Sequence, residues 1–132
     1  MGRGVAKFLN RTQKRQLYNS VRYREKIMPK IYEYLGIVLF FYSNEHEPIH
    51  VHGKYEGKES KAEIHMLNGK IHKIVIKDRG AGLEAKKRKE FEEFVHAYAD
   101  DIVNKWVDYF VRKKHVKPKT ITRKVKNVRA IG

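Results

Sequence analysis

The chain has no cysteine. That excludes a disulfide framework, a thiolate metal site and a cysteine nucleophile, and it fits a reducing compartment such as the cytoplasm. No run approaches the roughly 18 apolar residues needed to cross a bilayer. The basic N-terminus lacks the apolar core of a secretory signal. No P-loop, glycine-rich cofactor fingerprint or serine triad motif is present, so none of those enzyme classes competes. What remains, at 132 residues with eight Tyr, six Phe and one Trp, suits one domain with a modest core.

Acidic residues are what the two ends lack. Residues 1–30 carry nine Lys or Arg and one acid, and residues 112–132 carry nine and none. Residues 31–111 hold twelve basic and fourteen acidic residues, so the formal net charge of +15 sits in the ends. Cationic arms seek polyanions through phosphate contacts and counterion release, without sequence discrimination. The expected nucleic-acid contacts are Arg11, Lys14, Arg15, Arg22 and Arg24 at one end. At the other they are Lys117, Lys119, Arg123, Lys124, Lys126 and Arg129. Leu17, Tyr18, Val21 and Tyr23 suit a short helix within residues 12–26, with arginines among aromatics that can stack on bases. The alternatives are an extension that is disordered or packs loosely on the domain, an interaction module whose basic ends are complementary to an acidic partner such as an antitoxin, or a chain whose translation starts at Met28. The expected division is a basic extension over 1–27, a domain over 28–114 and a basic tail over 115–132.

Residues 37–42, Ile-Val-Leu-Phe-Phe-Tyr, are an unbroken apolar run between Gly36 and Ser43. Such a run reads as a strand buried on both faces. A polar loop with Pro48 follows, then a strand over 49–55 and another over 58–66 joined by Glu56-Gly57. A two-residue turn there pairs Val51 with Ala62 and Ile49 with Ile64 on one face. The other face then pairs Lys54 with Glu59, His52 with Lys61 and His50 with Glu63. A one-residue slip would set apolar against polar throughout. At Asn68-Gly69 a three-residue loop keeps Ile64 opposite Ile74 and Ala62 opposite Ile76, places His72 beside Met66, and gives a fourth strand over 71–77. Phe91, Phe94, Val95 and Tyr98 fall at helical spacing, and Ile102, Val103, Trp106, Tyr109 and Phe110 continue it, as one helix or two. Ile121 to Val125 alternates enough for a short edge strand. The expected class is α+β, a small antiparallel sheet of about four strands against C-terminal helix.

His50 and His52 leave their strand on the same side, with Glu63 opposite His50 and His46 one loop away. Imidazole and carboxylate are ordinary ligands for a divalent metal, so His46, His50 and His52 form a candidate metal set. Without metal, His50 and His52 could serve as base and acid in phosphodiester hydrolysis, with Glu63 orienting one ring. The plainer alternative is a polar sheet face kept wet by His, Lys and Glu.

Residues 45–52, Glu-His-Glu-Pro-Ile-His-Val-His, resemble the acidic-His-x-Pro-Pro-His-x-His signature of a small bacterial domain of unknown function, DUF 4160. The resemblance extends over about residues 28–121. It includes 28–37, Met-Pro-Lys-Ile-Tyr-Glu-Tyr-Leu-Gly-Ile, and the segment 99–106 that ends in Trp106. The family often has two prolines where this chain has Pro48 and Ile49, which implies a strand that starts one residue earlier and a less rigid loop. The resemblance implies a toxin–antitoxin-like or mobile-element setting with a small partner protein. It attaches no reaction.

Overall fold

Three two-residue turns set the spacing of the sheet. Leu35-Gly36, Glu56-Gly57 and Asn68-Gly69 each place both residues at positive φ. That is the type I′ geometry, whose twist matches the strands it joins. The flanking pairs are Tyr34 opposite Ile37, Tyr55 opposite Lys58 and Leu67 opposite Lys70.

The structure, a computed structural model, describes residues 9–44 and 48–126, with backbone alone for 20–26. Its strands are β1 Lys30–Tyr34, β2 Ile37–Phe40, β3 His50–Tyr55, β4 Lys58–Leu67, β5 Lys70–Arg79 and β6 Lys119–Ile121. They form one sheet in the order β5-β4-β3-β2-β1-β6. Every neighbouring pair is antiparallel except β1 with β6. The α+β class holds, with six strands where about four were expected.

The β3–β4 register is the one the alternation demanded, including His50 opposite Glu63 and Lys54 opposite Glu59. The amide of Ile64 also donates to the carbonyl of Ile49 at 2.7 Å, one residue before β3 begins. The next hairpin needs a correction. Ile64 does face Ile74 and Ala62 does face Ile76, but the loop has two residues, not three. The extra residue is absorbed by a β-bulge, because His65 faces Lys73 while Met66 faces Ile71. His72 is the residue left over, and it does not sit opposite Met66.

β1 was hidden by another bulge. Lys30 faces Phe40 but Tyr32 faces Leu39, so Ile31 and Tyr32 are consecutive and both fully buried. That breaks the period of two that marks a strand. The C-terminal segment supplies β6 at residues 119–121 rather than 121–125. It is fastened further by buried Val116 and by the Val125 amide, which donates to the Tyr34 hydroxyl at 3.0 Å.

Helix α1, Arg11–Ile27, opens with a reciprocal cap. The Asn10 side chain accepts from the Gln13 amide at 2.8 Å, and the Gln13 side chain accepts from the Asn10 amide at 3.0 Å. This satisfies two orphan donors of the first turn. Its far end is tied to the body where the amides of Ser43 and Phe41 donate to the carbonyls of Ile27 and Pro29.

Helix α2 runs Ala85–Trp106, with Tyr98 out of helical angles at φ −109 and ψ 16. It is thus one helix with a kink, followed by a π-helical turn over Val107–Val111. Its apolar stripe, Phe91, Phe94, Val95, Ile102 and Trp106, packs with Tyr32, Tyr34, Leu39, Val51 and Ile64 into the core. The approach of α2 is fixed at its start. The Ser60 hydroxyl donates to Asp78 at 2.8 Å and accepts from the Leu83 amide at 3.0 Å, and Arg88 reaches Asp78 at 3.1 Å. Among the described residues, no helix is long and apolar enough to cross a membrane.

Candidate functional site: a histidine–glutamate face and a cationic edge

Alternation along the strands sends side chains to two faces. The face under α2 holds Gly53, against Phe91, and its neighbours Leu39 and Ser60. The opposite face therefore carries Phe40, Tyr42, His50, His52, Glu59 and Glu63. It is not a wet surface at this point. His50 and His52 are each 3% exposed, Glu63 6% and Glu59 8%.

Each imidazole is held through Nδ1. The Nδ1–H of His50 donates to the Pro48 carbonyl at 2.6 Å, so Pro48 holds this ring. The Nδ1–H of His52 donates to the Glu59 carboxylate at 3.1 Å. Carbonyl and carboxylate oxygens only accept, so Nδ1 carries a proton in each ring and Nε2 is the nitrogen left for other chemistry. The two rings lie edge to face at 5.0 Å. Phe40 stacks on His52 at 5.4 Å and Tyr42 meets its edge at 4.5 Å.

Glu59, opposite Lys54 in the register, is the hub. It accepts from His52, from the Tyr42 hydroxyl at 3.2 Å and from Arg79 at 3.1 Å. The signal was available: Glu59 lies two residues from Lys61, the partner of His52, and so diagonally across the same face. Glu63 plays a different part from the one expected. It faces His50 in register, but its carboxylate turns to Lys77 at 3.1 Å, His65 at 3.3 Å and Lys61 at 3.7 Å. It does not orient an imidazole of the pair.

Burial pushes the Glu63 carboxyl up, but the hydrogen bond and charge of Lys77, the bond from His65 and the charge of Lys61 outweigh it and hold the group below its ordinary value of 4.5. The folded state therefore binds fewer protons at this site than the unfolded chain does. Its stabilising contribution is complete above about pH 4.5 and is lost as pH falls through the lower folded value. Thermal melts of Glu63→Gln between about pH 3 and pH 6 should show a flatter acid limb than the parent protein. An unchanged slope would show that Glu63 does not carry it.

The proposed metal set is only partly open to inspection. His46 lies outside the described residues, and among the described residues no three His, Asp or Glu side chains gather as a metal site.

The cationic residues fall into place by topology. Arg11, Lys14 and Arg15 are exposed on α1; Lys117, Lys119, Arg123, Lys124 and Lys126 are exposed around β6. None forms an ion pair with a described residue. Arg22 and Arg24 lie within α1, their side chains outside the description, and Arg129 lies outside the described residues. The C-terminal group surrounds the edge strand β6, which lies alongside β1, and the N-terminal group lies on α1, which leads into β1. Lys119 is level with Tyr32, the middle residue of β1, and β6 runs on from there parallel to β1.

Fold and site together define a small α+β domain with a buried histidine–glutamate face and a cationic edge. Residues 36–107 match the family described as Domain of unknown function (DUF4160). The match covers more than half of the chain, which belongs to that family. It spans β2 to β5 and α2, a shorter stretch than the resemblance suggested, and leaves β1 and β6 outside. Comparison with curated proteins and with solved structures gives no match.

Proposed function

We propose that this protein binds the phosphate backbone of RNA or DNA along the β6 edge of the sheet, with the cations of α1 as a second contact. The observation that carries the reading is the exposure of eight cations with no ion pair to a described residue, five of them around the edge strand β6. Charges already matched to the domain's own carboxylates would have nothing left for phosphate. These do not have that constraint, and each neutralised phosphate releases condensed counterions. The setting we propose is the toxin-like or regulatory member of a bacterial toxin–antitoxin or mobile-element pair, acting in the cytoplasm. It rests on the family resemblance.

The test is a salt titration of binding to a labelled oligonucleotide. Replacing Lys117, Lys119, Arg123, Lys124 and Lys126 by Ala should weaken binding about a hundredfold near 0.1 M salt and make the log–log salt slope shallower by about four. An unchanged slope would remove the edge as the interface.

A second reading rests on His52 and Glu59. A carboxylate on Nδ1 holds an imidazole as a general base holds its ring, and the proton of a ribose 2′-hydroxyl is a suitable target. Both imidazoles are buried, so this reading requires the face above them to open, whereas the first requires no movement. RNA cleavage should then fall at least a hundredfold in His52→Ala with the circular dichroism spectrum kept. Equal cleavage by parent and variant would end it.

A further inference from the structure

The sheet has a second edge, β5, whose outer side pairs with no strand among the described residues. It is ten residues long, against a usual length of about five or six. Long open edges offer unpaired amides and carbonyls as a template for another strand. Towards α2 this edge presents Ile71, Ile74 and Ile76, each only partly covered. At the hairpin tip beside it, Met66 is 37% and Leu67 56% exposed. Lys70 and Lys73 are exposed and form no ion pair with a described residue. Lys77 and Arg79, further along, reach inward to Glu63 and Glu59.

An apolar margin set between exposed lysines is complementary to a strand that alternates apolar and acidic residues. We infer that β5 is a docking edge for an extended acidic segment of a second protein, added to the sheet as a further strand. Main-chain hydrogen bonds would supply affinity, and the isoleucine margin and lysines the selectivity. A second copy of this chain is a poor occupant. β5 has four cations, Lys70, Lys73, Lys77 and Arg79, against Asp78 alone, so two copies would set like charges across the new ladder. The net charge of +15 adds to that repulsion. The docking edge stands whether or not the opposite edge binds nucleic acid.

The experiment uses the full chain and three probes of about ten residues or nucleotides, a length matched to one strand. They are a peptide alternating valine and glutamate, one alternating valine and lysine, and a single-stranded RNA. Amide hydrogen exchange is followed residue by residue. The glutamate peptide should slow exchange at alternate amides of β5 and leave β2 unchanged. Lys70→Glu combined with Lys73→Glu, both at exposed positions, should weaken that peptide about tenfold and favour the lysine peptide. Three results would overturn the inference: no protection on β5, equal affinity for the two peptides, or protection by the RNA with none by the glutamate peptide.

Discussion

Phe94→Ala should lower the stability of the fold by about 4 kcal/mol. Phe94 is fully buried in α2 and touches three other rings. Its ring stacks on Tyr34 at 4.6 Å and on Tyr98 at 4.4 Å, and meets the edge of Tyr32 at 5.0 Å. Truncation removes the transfer free energy of a phenyl group and leaves a cavity. It also removes aromatic pairings of about 0.5–1.5 kcal/mol each beyond area. The three tyrosines cannot close the gap easily. Tyr32 donates to Asp101 across the sheet–helix boundary, and Tyr34 is bonded to the C-terminal segment. With a total stability of about 5–15 kcal/mol typical of domains, a measurable unfolded population should follow. Urea denaturation checks this: the midpoint should fall with the slope unchanged. A loss under about 1 kcal/mol would show that the core is not organised around this ring.

Gly53→Ala should cost about 3 kcal/mol, lowering the melting temperature by about 10 °C. A Cβ at Gly53 would stand 2.5 Å and 2.6 Å from two ring carbons of Phe91. Phe91 is fully buried, so its ring has no solvent to swing into, and α2 would have to lift. The strand needs a residue without a side chain here because the Phe91 ring occupies the space a Cβ would take. A second substitution separates this cause from any other. Phe91→Leu removes ring atoms at the contact and should recover much of the loss in the double variant, a coupling of at least about 1 kcal/mol. Additive losses would mean that the contact is not the source.

How far this fold was legible depended on where each constraint lies. The β3–β4 register could be read because both of its causes are local, the Glu56-Gly57 turn and the alternation of Val51 and Ala62 with charged neighbours. The next hairpin combined a two-residue turn with apolar pairs one step out of phase. Only a bulge reconciles them, and nothing in residues 65–73 announces one. β1 was lost for the same reason at Ile31. β6 pairs with residues more than eighty positions away, and no local pattern encodes a parallel partner. The candidate site divided along similar lines. Period two put His50 and His52 on one face. It could not show that the face is buried there, nor that Glu59 would hold His52 while Glu63 turned away to Lys77. The first choice depends on Tyr42 and Arg79, from β2's exit and from β5, and the second on Lys77, also from β5.

The late arrival of β6 has a consequence for how the protein is made. β1 is made before the other described strands of its sheet, yet its second neighbour is not available until synthesis passes Ile121. Until then, the main-chain groups of Tyr32 and Tyr34 on that side face solvent or any other nascent chain. The period of greatest risk of mispairing therefore spans the synthesis of β2 to β5 and of α2. The lysines that close the edge are also the last part of the sheet to arrive.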